Sequence, residues 1–399
     1  MLNSNLRLSS DGTKLRGVHF KDIKSINIPD TVTIICNGAF EDCCSLEYID
    51  IPNSVTRISS SAFKGCTSLK NIELPNSVKE VGSAAFFECE SLQNIDIPNS
   101  VKVIESSAFA LCSSLNRIII PNSVEQIGSA AFYGCTSLNS VTLSNSIKSL
   151  EGQLFYRCNS LKEIELPNSI NTIEDSAFNQ CEALKRIVIP DSVKKIGCMA
   201  FSLCISLDTI EIPDSVCSIG EGAFDGCYSL KSVSIKGSIS KIGKCTFSEC
   251  YSLNNISLPV SISIISENAF SYCKSLQKID IPNCVKEIGK NAFKGCSSLL
   301  SIVIPNMVYT IMDGSFANCS NLESISLPSS LTTIESYAFY QCNKLSKINI
   351  DNKAPKLIEV SEFAFEGLYD QIILVIPAGS CWEYKHHPIF KLFQKIETI

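Results

Sequence analysis

A phenylalanine recurs every 23 residues along most of this chain, from Phe40 to Phe339, in fourteen copies. A cysteine follows each of these phenylalanines three positions later, and a leucine follows six positions later. A fixed period between about 20 and 50 residues indicates one structural unit stacked on copies of itself. The chain is therefore predicted to form a solenoid, an architecture that presents extended surfaces and seldom builds catalytic pockets.

Each repeat contains one segment with the pattern of a half-buried strand. In the second copy an L-x-x-I-x-L run begins at Leu69, and its last two apolar residues alternate with polar ones. Pro75 ends this run, because proline cannot donate a hydrogen bond to a strand ladder. Proline fills the same place in twelve of the fourteen copies, and Ser144 and Lys236 replace it in the other two. We expect local irregularities in those two copies.

The rest of the repeat predicts two further short elements. In the S-V-x-x-I segment the apolar residues are three apart, which favours a second bulged or extended piece over a regular strand. Phe63 and Cys66 are also three apart and would share one face of a single helical turn. We therefore predict an α/β repeat made of a strand, a corner, a short second strand and one helical turn.

Stacking of the repeats must supply the stability of this fold. One repeat has too few apolar side chains to offset the entropy lost when its backbone is ordered, so contacts with both neighbours are needed. The predicted core ladder is represented by the phenylalanine, cysteine and leucine of two copies: Phe63, Cys66, Leu69, Phe178, Cys181 and Leu184.

The 21 cysteines are predicted to be free thiols and not disulfides. Fourteen of them belong to the repeat column, where stacked side chains would lie about 4.8 Å apart and point the same way. A disulfide needs Cβ atoms about 3.5–4.5 Å apart with converging directions. The chain contains no C-x-x-C pair, so a structural zinc site has no support. Buried thiols acting as small hydrophobic side chains explain the column, and many free thiols favour a reducing compartment.

Both ends of the chain are predicted to cap the repeats. Residues 1–23 contain Ser10-Asp11-Gly12, a hairpin turn signal between two short apolar segments, and the repeats span residues 24–350. The remaining residues, 351–399, break the 23-residue register and hold Trp382, Tyr384, Phe390 and Phe393. A capping module that plugs the open end explains these aromatic residues, and a separate aromatic binding patch is the alternative.

Composition narrows the classes of partner. The net charge of −6 argues against nucleic acid, which needs a basic stripe. The sequence has no apolar run of membrane-spanning length, and its first residues do not match a secretory signal. A protein partner is expected, with no direct membrane insertion and no small-molecule substrate. These features and the thiols favour a cytoplasmic location.

The repeated I-P-x-S-V-x-x-I-G-x-x-A-F-x-x-C-x-S-L-x-x-I pattern resembles the 23-residue, BspA-like class of leucine-rich repeat over residues 24–350. The end of the chain is similar to the closing segment of that family in Val375-Ile-Pro-Ala-Gly-Ser, Tyr384-Lys385 and Phe390-Lys-Leu-Phe393, with Phe390 where tryptophan is usual. The resemblance implies a leucine-rich-repeat solenoid with a parallel sheet on its concave face.

The same resemblance implies a function in binding other proteins. Family members are known as surface antigens and adhesins that bind extracellular-matrix proteins or host cells. Two hypotheses follow for this chain. One is an intracellular scaffold or structural component of a larger assembly, and the alternative is a surface antigen or adhesin.

The outward-facing strand positions are the candidate binding surface. Between the two inward aliphatic residues, three successive copies carry an acidic residue, with a tyrosine, a further acid and a lysine nearby. The candidate residues on this concave face are Glu47, Tyr48, Asp50, Lys70, Glu73 and Asp96. Like charges about 5 Å apart suit a basic partner or a cation, although a solvated surface also tolerates them.

Catalytic chemistry has little support in the sequence. The three histidines are His19 and the adjacent pair His386 and His387, and an exposed position in contact with water explains them better than a metal site. The chain has no G-x-S-x-G motif, no P-loop and no dinucleotide-binding fingerprint. We expect no enzymatic activity, no cofactor and no metal.

Overall fold

The computed structural model describes residues 5–398 and divides into two compact units, Met1–Ile205 and Ser206–Ile399. Both units consist of short strands that recur with the 23-residue period of the sequence. The strands belong to two sets, and each set pairs in parallel between successive repeats. The predicted solenoid of parallel strands is confirmed.

The first set, the L strands, lies in the L-x-x-I-x-L segments and continues in two strands of the C-terminal residues that pair onto it in parallel. In the first unit the L strands are Ser25–Asn27, Tyr48–Asp50, Asn71–Glu73, Asn94–Asp96, Arg117–Ile119, Ser140–Thr142, Glu163–Ile164 and Arg186–Ile187. In the second unit they are Thr209–Ile212, Ser232–Ile235, Asn255–Ser257, Ser301–Val303, Ser324–Leu327, Lys347–Ile350, Ile373–Ile376 and Lys395–Thr398. Their central isoleucine or valine points inward and the flanking residues point outward, because side chains alternate along a strand.

The second set, the V strands, lies in the S-V-x-x-I segments, and each V strand is two residues long. In the first unit they are Ile34–Ile35, Arg57–Ile58, Glu80–Val81, Val103–Ile104, Gln126–Ile127, Ser149–Leu150, Thr172–Ile173 and Lys195–Ile196. In the second unit they are Ser218–Ile219, Lys241–Ile242, Ile264–Ile265, Glu287–Ile288, Thr310–Ile311, Thr333–Ile334 and Glu359–Val360. The predicted short second strands are therefore present.

The A-F-x-x-C segment is a series of tight turns, so the prediction of a helical turn there was wrong. In the second copy Ser61 and Gly65 have φ values of 56° and 71°, and left-handed residues cannot continue a right-handed helix. The backbone N–H of Ser61 donates to Ser83 O, and that of Gly65 donates to Phe87 O, both at 2.8 Å. These hydrogen bonds to the next repeat hold the left-handed conformation in place.

The core of each unit is a column of stacked side chains. Neighbouring phenylalanine rings lie 5.2 to 5.7 Å apart in the first unit and 5.1 to 5.8 Å apart in the second. Their planes are close to parallel, an arrangement that adds to the stabilisation from burial alone. The residues of the predicted core ladder, Phe63, Cys66, Leu69, Phe178, Cys181 and Leu184, each have 0% exposure.

Irregularities occur at both copies that lack the usual proline. The ladder of V strands is interrupted between Gln126–Ile127 and Ser149–Leu150, the copy that contains Ser144. It is also interrupted between Ser218–Ile219 and Lys241–Ile242, the V strand of the copy that contains Lys236. Both predicted irregularities are confirmed. A third interruption precedes Thr310–Ile311, in a copy that keeps its proline, and the sequence pattern did not predict it.

An N-terminal hairpin precedes the repeats, as predicted. Strands Leu6–Leu8 and Lys14–Val18 pair antiparallel around the turn at Gly12. Lys14–Val18 then pairs in parallel with the first V strand, so the hairpin covers the open edge of that ladder. Covering an open edge removes a site at which another chain could add a strand.

The C-terminal segment, residues 351–398, continues the column and then closes it. Phe365 stacks on Phe339 at 5.1 Å, three residues later than the repeat period predicts. Beyond this ring the segment contains the α-helix Cys381–His386. It also has two 3-10 helices, Pro355–Leu357 and Phe390–Leu392. Within residues 5–398, no helix has the length and apolar character needed to cross a membrane.

Three of the four aromatic residues predicted to form a cap are buried in the C-terminal segment. Tyr384 and Phe390 are inaccessible to solvent, and Phe393 is 3% exposed. The hydroxyl of Tyr384 donates to Asn352 O at 2.8 Å, and burial raises the pKa of this phenol, which keeps it a neutral donor. The fourth residue, Trp382, is 68% exposed and does not belong to this core.

Candidate functional site

The candidate binding surface is the strand face, which we define as the outward-pointing side chains of the L strands. Parallel pairing in register places equivalent residues of neighbouring repeats side by side, as with Glu73 opposite Asp96 and Asn71 opposite Asn94. Each position of the repeat therefore becomes a row of side chains across the face. The chemistry of a row is set by residues 23 apart in the sequence.

Three of the predicted site residues occupy one position of the repeat and make up the acidic ladder of Asp50, Glu73 and Asp96. Glu73 and Asp96 face each other in register, whereas the L strand of Asp50 contacts the L strand of Glu73 but belongs to a separate sheet. All three side chains are exposed, and each lies at the outward end of an L strand. Within the described part of the chain, none of the three takes part in an ion pair, although twelve ion pairs occur elsewhere. Neighbouring strands lie about 4.8 Å apart, so three unpaired negative charges share a short distance.

The predicted residues Glu47 and Lys70 lie next to the ladder, but they neutralise each other. Glu47 is 3.9 Å from Lys70 Nζ and also 3.9 Å from Lys24 Nζ. These exposed pairs contribute less than about 1 kcal/mol each to stability. Lys24 is not among the site residues predicted from the sequence. The 23-residue period could have identified it as a partner of Glu47, since residues 24, 47 and 70 occupy the same position in successive repeats.

Tyr48 is the aromatic residue beside the acidic ladder. It stands on the same L strand as Asp50, its side chain also points outward, and it is 57% exposed. Exposed tyrosines are common anchors in protein interfaces because they bury a large area at little loss of conformational entropy. The structure therefore places Tyr48 where it could support contacts made by the ladder.

The strand face of the second unit has a different charge pattern. At the repeat position of the acidic ladder, Glu211 on the L strand Thr209–Ile212 is paired with Lys236 at 2.5 Å, and Asp280 is paired with Lys278 at 2.9 Å. The acids at this position in the repeats of the second unit thus have basic partners close by. Val303 in this unit is an exposed aliphatic residue and, as a single one, needs no functional explanation.

The column cysteines are free, and those with described contacts make a hydrogen bond that the sequence did not reveal. The thiol of Cys66 donates to Phe40 O at 3.2 Å, and the thiol of Cys181 donates to Phe155 O at 3.1 Å. The acceptor is the backbone of the preceding repeat, 26 residues earlier. Burial raises the pKa of Cys135 and of Cys296 to about 12, so these groups remain protonated donors and weak nucleophiles.

The paired histidines differ in position: His386 is exposed, as expected, whereas His387 is buried, so the expectation of a surface position was wrong for His387. Nε2 of the buried His387 lies 3.0 Å from Ile358 O, and its Nδ1 accepts hydrogen bonds from the backbone N–H groups of Ile389 and Phe390, both at 3.2 Å. This arrangement assigns the ring proton to Nε2. Burial lowers the pKa of His387, which keeps the ring neutral. Among residues 5–398 no group of three or more histidine, cysteine or acidic side chains is arranged to hold a metal ion.

Stacked parallel strands, a repeated leucine and an extended outer face define the class as leucine-rich-repeat proteins. The family model of the BspA type leucine rich repeat region matches residues 18–135, 102–230, 172–300 and 286–380. The chain therefore belongs to the BspA-type leucine-rich-repeat family. Leucine-rich-repeat proteins are typically protein-interaction modules and are generally not enzymes.

Solved structures of bacterial leucine-rich-repeat proteins resemble this chain. A leucine-rich repeat protein from Bacteroides ovatus is 31% identical, with a TM-score of 0.82, over 93% of this chain and 97% of the other. A leucine rich cell surface protein from Faecalibacterium prausnitzii is 28% identical, with a TM-score of 0.52, over 88% of this chain and 94% of the other. No match was found among curated proteins.

Proposed function

We propose that this chain is a non-enzymatic scaffold that binds a basic segment of a protein partner through the acidic ladder. The observation that carries the proposal is the row of three exposed, unpaired carboxylates at Asp50, Glu73 and Asp96. A row of like charges draws an oppositely charged partner toward it and raises the rate of association. Tyr48 supplies an aromatic contact beside the row.

The geometry of the face suits an extended partner. Successive acidic positions repeat at the spacing of parallel strands, about 4.8 Å, while successive residues on one side of an extended peptide are about 6.6–7 Å apart. Flexible lysine or arginine side chains can bridge this difference because their stems are long. The proposed partner is therefore a segment with several basic residues, and its binding should weaken as salt screens the charges.

The scaffold role places the protein inside the cell, as part of a larger assembly. Exposed free thiols at Cys44 and Cys198 support this location, since a reducing compartment preserves such groups. A surface adhesin is the second candidate, and the resemblance to the cell surface protein of Faecalibacterium prausnitzii favours it. Biotinylation of intact producing cells with a reagent that does not cross the membrane separates the scaffold from the adhesin. Labelling of this protein while the membrane is intact would require that the protein is exported.

The acidic ladder is tested with the triple variant Asp50→Ser, Glu73→Ser and Asp96→Ser. Wild type and variant are immobilised, exposed to extract of the producing cells, and the captured proteins are quantified by mass spectrometry. We expect at least one basic protein to be lost about tenfold or more from the variant, and its capture by wild type to fall between low and high salt.

A matched control removes the same amount of charge elsewhere. Asp30, Asp191 and Asp214 are exposed acids in the turns after L strands, and their replacement by serine leaves the ladder intact. This control should capture the same proteins as wild type. If every captured protein binds the ladder variant as well as the control, the acidic ladder is not the binding site. Circular dichroism establishes that both variants fold.

A further inference from the structure

The C-terminal segment forms a cavity of about 610 Å³ that the repeat pattern does not account for. Its apolar wall includes Ile358, Val360 and Ile389, and Trp382 stands beside them. Volumes of this size are typical of ligand-binding pockets, which combine apolar walls with a few polar groups. All of its lining residues belong to the second unit, whereas the acidic ladder belongs to the first.

Glu383 also lines this cavity, and one oxygen of its carboxylate lacks a partner. Its Oε2 atom is buried and has no hydrogen-bond partner. A buried carboxylate oxygen without a partner is unfavourable, because it has lost water without gaining a hydrogen bond. A cation in the cavity would remove that penalty once a rotation of the flexible Glu383 side chain turned this oxygen toward it.

The other charged groups around the cavity leave it with a negative balance. Glu359 and Lys356 also line it and have opposite charges, and both are exposed. His387 is a neutral ring whose nitrogens are already used by backbone groups. Counting these groups, Glu383 is the charge that remains without a counter-charge.

Trp382 offers an aromatic surface at the same place. Its indole is 68% exposed, and the ring of His386 stacks on it with centroids 4.1 Å apart. The Nδ1 atom of His386 lies 2.7 Å from the backbone oxygen of Trp382, which fixes the histidine ring against the indole. The indole is thus held in position while much of its surface stays open to a ligand.

We propose that this cavity binds an arginine side chain of a protein partner, with Trp382 stacking on the guanidinium and Glu383 as its counter-charge. Arginine fits the three features together. Its planar head stacks on aromatic rings and pairs with carboxylates in two parallel hydrogen bonds, while its aliphatic stem suits the wall of Ile358 and Val360. The volume also leaves room for the backbone on either side of the arginine. This inference does not depend on the proposed function of the acidic ladder.

Trp382 makes the test direct, because it is the single tryptophan of the chain and its fluorescence reports on the cavity. The full chain is titrated with the peptide acetyl-Gly-Arg-Gly-amide at constant ionic strength. The comparison peptide carries citrulline, which has the shape of arginine without the charge. We expect a saturable fluorescence change with the arginine peptide, about tenfold or more weaker binding of the citrulline peptide, and intermediate binding of a lysine peptide.

Two variants show whether Glu383 is the counter-charge. Glu383→Gln keeps the size of the side chain and should weaken arginine binding about tenfold while leaving citrulline binding unchanged. Glu366→Gln is the matched control, since Glu366 is an exposed acid of the same segment that does not line the cavity, and it should bind like wild type.

Other outcomes would overturn the proposal. Equal binding of the arginine and citrulline peptides, or no saturable change with either, would show that the cavity is not an arginine site. Equal arginine binding by wild type and a folded Glu383→Gln variant would do the same. If thermal unfolding shows that Glu383→Gln does not fold, the comparison of the two peptides on the wild-type chain decides.

Discussion

The repeats and the C-terminal segment reach a buried core by different kinds of contact. In the repeats a side chain meets copies of itself, as Phe178 does between Phe155 and Phe201 at 5.5 and 5.3 Å. In the C-terminal segment the contacts join unlike residues, such as the Tyr384 hydroxyl and Asn352 O. One region is built by repetition, whereas the other depends on a set of contacts that occur once.

This difference explains why the two regions offer different binding surfaces. Stacking of the repeats requires the same apolar residue types at the inward positions but places no such requirement on the outward ones. The strand face is therefore a regular array of side chains whose rows can change without disturbing the core. The unrepeated segment folds around several unlike side chains and leaves a concave cavity between them. A shallow array suits an extended partner, and a cavity suits one anchoring side chain.

The largest expected effect is the loss of a ring from the repeated column. Phe178→Ala removes stacking with two neighbouring rings and leaves a cavity in a fully buried site, so the free energy of unfolding should fall by about 3–5 kcal/mol. Urea denaturation followed by circular dichroism measures this. Phe20→Ala is the control, because Phe20 is 73% exposed, and it should change stability by less than about 0.5 kcal/mol. A similarly small loss for Phe178→Ala would contradict the assigned core.

A smaller and pH-dependent effect is expected in the C-terminal segment. His387→Ala removes a donor to Ile358 O and an acceptor for two backbone N–H groups, so stability at pH 7.5 should fall by about 1–3 kcal/mol. Since burial lowers the pKa of His387 from its ordinary value of 6.5, the folded protein resists protonation where the unfolded chain accepts it. The stability that His387 contributes is therefore present above pH 6.5 and is lost as the pH falls below it.

The gap between wild type and His387→Ala should accordingly narrow on acidification. Urea denaturation at pH 7.5, 6.5 and 5.5 measures this gap. The control is His19→Ala, because His19 is exposed, and its difference from wild type should stay small at all three values. A gap that is constant or widens toward low pH would show that His387 is not held in its neutral form.

The smallest expected effect on stability concerns the column cysteines. Cys181→Ala removes the hydrogen bond to Phe155 O and some apolar contact, which should lower stability by about 0.5–1.5 kcal/mol. The exposed Cys198 serves as the matched control, and Cys198→Ala should be close to neutral. Equal stability of the two variants in urea denaturation would mean that neither the hydrogen bond nor the packing of the buried Cys181 thiol stabilises the fold.

Much of the fold could be predicted because the alternation of apolar and polar residues and the 23-residue period are visible in the sequence. The tight turns could not be predicted in this way. Residues such as Ala84 and Glu88 adopt φ values of 54° and 61°, which their side chains do not favour. The N–H of Ala84 donates to Ser106 O in the next repeat, and that bond, absent from any single copy, imposes the conformation.

The candidate sites show the same division. The exposure of Asp50, Glu73 and Asp96 follows from alternation along a strand, so the acidic ladder could be located from the sequence. The cavity could not, because it needs Ile358 and Glu383, 25 residues apart in an unrepeated segment, to meet by packing. The spacing of residue types along the sequence does not indicate which distant residues of an unrepeated segment come into contact.

The hydrogen bonds from each tight turn to the next repeat have a consequence for how proteins of this kind change length. Apart from the irregular copies, the interior repeats offer their neighbours equivalent donors, acceptors and rings, 23 residues apart. An in-frame duplication or deletion of one whole repeat in the gene would create a junction of the same kind as those already present. A change of any other length would put unlike positions side by side. Recombination between repeats could therefore lengthen or shorten the outer face without the need to design a new interface.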